Sequence, residues 1–149
     1  MRRIILLLIA IAISACQDET INFAHAIEGS WYGSVGKNPM TGDNQYIRLD
    51  LMTGKADVST YFTKYDRGWH DATGVYTIDT DNTIHFDIDM GECEINDESR
   101  IAITHAIVKD SYTTGEKRTI LQLNFETHSH YTEEVTSSFI WLSRERPDM

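Results

Sequence analysis

Histidine and carboxylate residues recur at a spacing of two in two segments of this chain. His85, Asp87 and Asp89 alternate with apolar residues. His128 and His130 form a second pair. Residues two apart on a β-strand share one face, and imidazole and carboxylate groups on one face are able to bind zinc and related metals. One hypothesis is a metal site that draws ligands from both segments. The other is a solvated polar strand face, which explains the same residues without a metal.

The motifs of common enzyme classes do not occur in the sequence. There is no nucleophile elbow, phosphate-binding loop, His-Glu-x-x-His motif or paired-cysteine metal spacing. Trp69-His70-Asp71 places an acid beside a histidine, but neighbouring residues on a strand face opposite ways. We therefore expect a non-catalytic protein that carries no cofactor.

Length and charge limit the number of domains and the kinds of partner that this chain is able to bind. The chain has 149 residues, which is enough for one domain with a substantial core. Its 23 acidic residues outnumber 13 basic ones, for a formal charge of −10. Binding to nucleic acid requires clustered Lys and Arg, so this composition argues against a nucleic-acid partner.

Strand signals dominate most of the chain. Runs rich in Ile, Val, Thr, Tyr and Phe are separated by turn residues at short intervals. We predict strands over residues 28–36, 45–52, 55–63, 72–79, 83–90, 100–108, 117–126 and 135–144. Alternation is clearest where Ile47, Leu49 and Leu51 share one face. The segment 99–109 also allows a helix by its Ala and Ile spacing, but its β-branched residues favour a strand.

About eight short strands joined by tight turns form an antiparallel meander. Such a meander protects its edges by closing into a barrel or by folding into a sandwich. A closed eight-stranded barrel is just wide enough to be filled by side chains or to hold one small ligand. We therefore predict an all-β fold, as a closed barrel or, alternatively, as a β-sandwich.

The amino-terminal sixteen residues have the pattern of a bacterial export signal. Arg2 and Arg3 precede an unbroken apolar run over residues 4–13, about half of the roughly 20 residues that span a bilayer. Ile13-Ser14-Ala15-Cys16 resembles the lipobox of bacterial lipoproteins. The resemblance implies that the Cys16 thiol is alkylated by diacylglycerol and that the new amino terminus receives a further acyl chain such as palmitate. The alternative is a plain secretory signal followed by a chance cysteine.

The lipobox resemblance also predicts where the protein is held. Residues 1–15 would be removed, 16–26 would form a lipidated tether, and 27–149 would be a single β-barrel domain. The remaining 134 residues contain 11 basic and 23 acidic residues, for a formal charge of −12. Gln17 after the cysteine, where Asp favours the inner membrane, indicates the periplasmic face of the outer membrane. Cys93 would then be a lone thiol, which we expect to be buried and inert; the alternative is a reactive thiol or an intermolecular bridge.

Ile27-Glu28-Gly29-Ser30-Trp31-Tyr32-Gly33 resembles the start of lipocalins and related calycin barrels. In that superfamily the Trp of a Gly-x-Trp motif plugs the closed end of the barrel, and a cationic residue of the last strand packs across it. The resemblance assigns these positions to Trp31 and to Arg144 or Arg146. The central Thr-Asp-Tyr segment and carboxy-terminal helix of lipocalins are missing, so the resemblance does not define a ligand. Alternatively, Trp31 is an ordinary core aromatic of another β fold.

These features together predict a lipid-anchored, non-catalytic binding module of the cell envelope. In its lipocalin-like form, a small apolar ligand enters the barrel at the end away from Trp31. The alternative is a periplasmic protein-interaction module, such as an inhibitor or immunity protein. Its acidity would speed encounter with a basic partner without selecting one.

Overall fold

The computed structural model describes residues 23–37, 44–62, 67–88, 94–96, 99–113, 115–129 and 131–147. Within these residues the chain forms a short helix, α1 (23–27), and nine β-strands. The strands are β1 (Gly29–Lys37), β2 (Asn44–Met52), β3 (Lys55–Phe62), β4 (Arg67–Ile78), β5 (Thr83–Ile88), β6 (Glu94–Asn96), β7 (Ser99–Thr113), β8 (Glu116–Ser129) and β9 (Val135–Leu142). No helix among these residues is both long and apolar enough to cross a bilayer.

Each of the eight predicted strands corresponds to an observed strand. The segment whose spacing also allowed a helix is β7. The differences are mainly in length, because β7 and β8 extend beyond the predicted 100–108 and 117–126. Strand β6 is not predicted by the sequence, since three residues are too few to show alternation.

The strands form an antiparallel meander that is nearly closed into a barrel. Their order is β1-β2-β3-β4-β5-β7-β8-β9, and β6 pairs with β7. Strand β1 meets the residue after β9 at a bridge where Tyr32 and Ser143 each donate a backbone N–H to the other's carbonyl oxygen at 2.8 Å. Elsewhere in the described residues β1 and β9 do not pair as neighbouring strands, and we call the open line between them the seam. The predicted all-β fold is confirmed, as a barrel and not as a sandwich.

Alternation places one side of each strand inside the barrel. In β2, Ile47 and Leu49 are fully buried while Tyr46 and Arg48 remain partly exposed. The larger members of the core are Ile27, Trp31, Ile47, Leu49, Leu51, Val58, Tyr76, Ile84, Ile101, Ile103, Leu121, Leu123, Phe125 and Leu142. Each fully buried side chain of this size contributes roughly 1.5–3 kcal/mol. Packing of this apolar core is therefore the main force that holds the described barrel together.

Candidate functional site

Trp31 lies at the end of the barrel where α1 joins β1. Its side chain is 1% exposed, and its indole Nε1–H donates to the carbonyl oxygen of Ile27 at 2.8 Å. Gly29 has a φ of 105°, in the left-handed region that favours glycine. A Cβ at Gly29 would also lie 2.7 Å from Nη1 of Arg144. Glycine at this position therefore turns the chain from α1 into β1 and leaves room for the arginine.

Arg144 packs across the Trp31 ring, with its Cζ 3.8 Å from the ring centroid. Its Nη2 donates to the carbonyl oxygen of Ala26 at 3.0 Å, and its Nη1 approaches that of Ser30 at 3.5 Å. Burial lowers the pKa of Arg144 from its ordinary value. The contact between the two ends of the chain, implied by the calycin resemblance, is thus present with Arg144. A cation over an indole face contributes roughly 0.5–2 kcal/mol.

A pocket of about 620 Å³ opens beside Trp31. Helix α1 forms one wall, the hairpin between β7 and β8 forms another, and residues 143–145 form the third. The apolar part of its lining consists of Phe23, Ala26, Ile27, Trp31, Val108 and Ile120. The pocket exists because β7 and β8 continue past the point where β9 ends at Leu142, so that the hairpin projects beside α1.

Of the four charged side chains that line this pocket, Asp110, Arg118 and Glu145 form ion pairs, and Arg144 packs on Trp31. Arg118 forms ion pairs with Glu145 and, at 3.9 Å, with Glu116. Lys117 lies 3.0 Å from Asp110, and the hydrogen bond to that carboxylate raises the pKa of Lys117. With its charges paired in this way, the rim presents no strong excess of one sign to an entering molecule.

Helix α1 is part of the domain. The sequence places residues 23–26 in a tether, whereas the structure packs Phe23 against the core and buries Ile27. Thr53, in the turn between β2 and β3, donates its hydroxyl to Glu28 Oε1 at 2.8 Å. This bond, and then the contact with His25, lowers the pKa of Glu28. The interaction therefore stabilises the fold above the pKa of the unfolded carboxyl and is lost as pH falls through the lower folded value.

Trp31, Arg144 and the pocket together form one end of the barrel. No family model, curated protein or solved structure matches this chain.

The structure separates the two segments of the predicted metal site. His85 lies on the outer face of β5, and His128 lies on β8 with its Nε2 3.4 Å from Glu126 Oε2. Strand β7 runs between them, and the β8 residue level with His85 is Asn124, about 13 Å along the strand from His128. Asp87 is exposed two residues beyond His85, while Asp89 and His130 lie outside the described residues. Within the described part of the chain, no three His, Cys, Asp or Glu side chains are grouped to hold a metal.

The register instead places His105 of β7, which was not among the predicted ligands, directly opposite His85. A shift in the β7–β8 register between Ile103 and His105 interrupts the period of two. The spacing of residues around His105 therefore does not show which strand face it occupies. The same segment is also compatible with a helix, which weakens the pattern further. Cys16 and Cys93 both lie outside the described residues.

The outer face of β9 carries a row of exposed apolar residues, which we call the β9 face. It consists of Val135, Phe139 and Trp141, which are 50%, 53% and 48% exposed. The rings of Phe139 and Trp141 meet edge to face with centroids 5.5 Å apart. Tyr131, in the preceding turn, is 78% exposed. Because the β9 face borders the seam, apolar surface and an open strand edge occur side by side.

Proposed function

We propose that this protein is a lipid-anchored, non-catalytic binding domain of the bacterial cell envelope that holds one small apolar or amphipathic molecule. The observation that carries this proposal is the pocket of about 620 Å³ beside Trp31. Small-molecule sites typically enclose roughly 300–1,000 Å³ and combine apolar walls with a few polar groups. The pocket has this composition, with Ile27, Trp31 and Val108 in its walls and paired charges on its rim.

The position of the pocket adds support for a ligand of lipid-like chemistry. The sequence predicts ligand entry at the barrel end away from Trp31, but the described pocket lies at the Trp31 end.

Phe23, on the α1 wall of the pocket, is seven residues from Cys16. A chain of this length spans at most about 25 Å. If Cys16 carries lipid, the pocket is held within that distance of the membrane surface.

Filling part of the pocket is expected to weaken ligand binding. Thr119 lines the pocket and is exposed, so Thr119→Trp occupies part of its volume without disturbing the core. With a dansylated long-chain fatty acid as the fluorescent probe, we expect saturable binding to the natural protein and at least tenfold weaker binding to T119W. Thr73→Trp, at an exposed position of β4, is the matched control and should bind as the natural protein does. Absence of saturable binding, or equal loss in both variants, would contradict the pocket as the site.

The lipid anchor is tested by Cys16→Ala. We expect this variant to take up no radiolabelled palmitate and to keep its 15-residue signal, because the thioether that licenses cleavage cannot form. Cys93→Ala is the matched control and should be labelled and cleaved like the natural chain. A C16A chain that is cleaved normally would show that the signal is an ordinary secretory one. This outcome would leave the pocket prediction standing.

The β9 face supports a second candidate, a protein-interaction module for a basic partner. Exposed aromatic residues are favoured in binding hot spots, and an acidic chain attracts a basic protein. Using a basic muramidase as the probe, we expect binding that weakens when salt is raised and that falls at least tenfold in the F139S/W141S variant. Val75→Ser, which replaces a β4 residue that is 50% exposed, should change nothing. If the natural protein does not bind the muramidase, or if F139S/W141S binds it as tightly as the Val75→Ser control, a basic muramidase is not a partner of the β9 face.

A further inference from the structure

Two histidines face each other on the outer wall of the barrel. His85 of β5 and His105 of β7 are direct partners in the antiparallel register. Their ring centroids are 6.2 Å apart and their planes are inclined by 33°. The His85 side chain is 50% exposed, so it can adjust its rotamer in solvent. Neither ring belongs to the pocket beside Trp31.

The protonated nitrogen of His85 is defined by its carboxylate neighbour. Nε2 of His85 lies 2.7 Å from Oδ2 of Asp79. An ionised carboxylate only accepts hydrogen bonds, so Nε2 is the nitrogen that carries the proton. In the neutral imidazole, Nδ1 of His85 then keeps a free lone pair.

The hydroxyl group of Thr104 determines which nitrogen of His105 carries the proton. Thr104 donates its single hydroxyl proton to the carbonyl oxygen of Asn124 at 3.1 Å. The contact of 3.1 Å between Thr104 Oγ1 and His105 Nδ1 therefore requires Nδ1 to donate. This leaves the lone pair on Nε2 of His105. Each of the two rings thus has one nitrogen used by an orienting partner and one nitrogen available to a ligand.

We propose that His85 Nδ1 and His105 Nε2 together bind one divalent transition-metal ion of the zinc and copper class. Imidazole suits these ions, and a metal-ligating histidine typically donates its other ring N–H to a carboxylate or another acceptor. Asp79 and Thr104 occupy those orienting positions. A metal held about 2.1 Å from each nitrogen brings the two ring centroids to roughly 5–6 Å. The observed centroid separation of 6.2 Å is close to this range.

The site has two protein ligands, and water completes the coordination. Asp79 contacts the other nitrogen of His85, and among the described residues no group of three His, Cys, Asp or Glu side chains is placed to hold one metal ion. A two-histidine site is weaker than a closed structural zinc site, which has four protein ligands. We therefore expect reversible binding of an ion from solution, and the barrel does not depend on it for folding.

The experiment is a calorimetric titration of the purified full chain with Zn²⁺. We expect one ion per chain, and affinity at least tenfold lower in H85A and in H105A. His128→Ala is the matched control, because His128 lies on β8 away from the pair, and its affinity should be unchanged. Asp79→Asn should lower the affinity about tenfold through loss of orientation. Mg²⁺, which prefers oxygen ligands, should give no binding.

A spectroscopic readout separates this site from others on the chain. Long-range ¹H–¹⁵N spectra of the metal-free protein should show His85 protonated at Nε2 and His105 protonated at Nδ1. Zinc should shift the resonances of His85 Nδ1 and His105 Nε2. Unchanged zinc affinity in the H85A/H105A double variant, or no zinc binding by the natural chain, would overturn the proposal. Circular dichroism of each variant checks that its fold is retained.

Discussion

Replacing Trp31 with alanine is expected to destabilise the barrel by about 3–5 kcal/mol. The indole is 1% exposed, so its removal leaves a cavity at the end of the core. The same change removes the hydrogen bond from Nε1 to Ile27 and the surface over which Arg144 packs. Urea unfolding followed by circular dichroism measures the effect as a lower midpoint at similar slope.

Trp141→Ala is the matched control for this prediction. Trp141 is the same residue type on the β9 face, 48% exposed, and its truncation should cost less than about 1 kcal/mol. A double-mutant cycle of Trp31→Ala with Arg144→Ala isolates the contact between ring and guanidinium, for which we expect a coupling of roughly 0.5–2 kcal/mol. Equal costs for Trp31→Ala and Trp141→Ala would show that Trp31 does not close the barrel.

Alternation of residue types predicted the interior of the barrel well. In β2, Ile47, Leu49 and Leu51 are buried as alternation predicts, and the polar Gln45 is buried on the same face. In β5, Ile84 is buried, and Phe86 and Ile88 on the same face are half-buried. The contact between the first strand and the end of the last strand is not predicted by alternation. Trp31 and Arg144 are 113 residues apart, and only the resemblance to calycin barrels indicated their contact. Strand period reports which face is buried, but it carries no information about which distant strands meet.

Three features of the candidate sites were not predicted from the sequence, and each has a physical explanation. The described part of helix α1 has five residues, too few for a helical period to be visible. The pocket depends on how far β7 and β8 extend beyond β9, and strand ends are only weakly encoded. His105 follows a register shift, after which counting by two along β7 no longer gives the face of a side chain.

Replacing Gly33 with valine is expected to open the barrel at the seam. A Cβ at Gly33 would lie 2.7 Å from the carbonyl oxygen of Trp141 and would also clash with Cδ2 of Leu142. A glycine within a strand often marks such a close approach of another backbone. Because the clash involves backbone of β9, rotation of one side chain cannot relieve it. Strand β9 must therefore move away from β1 beside the bridge between Tyr32 and Ser143.

We expect Gly33→Val to cost about 1–3 kcal/mol, the range typical of overpacking. Amide hydrogen exchange should accelerate at Tyr32 and Ser143, whose N–H groups form the bridge, and should change little in the β2–β3 ladder, which lies away from the seam. Ser34→Val, at the adjacent exposed position of β1, tests the effect of valine on the strand itself and should stay within about 0.5 kcal/mol of the natural protein. If exchange at Tyr32 and Ser143 were already unprotected in the natural chain, β1 and β9 would not be joined there. The contact of Arg144 with Trp31 would then have to close this end of the barrel without the help of a backbone bridge.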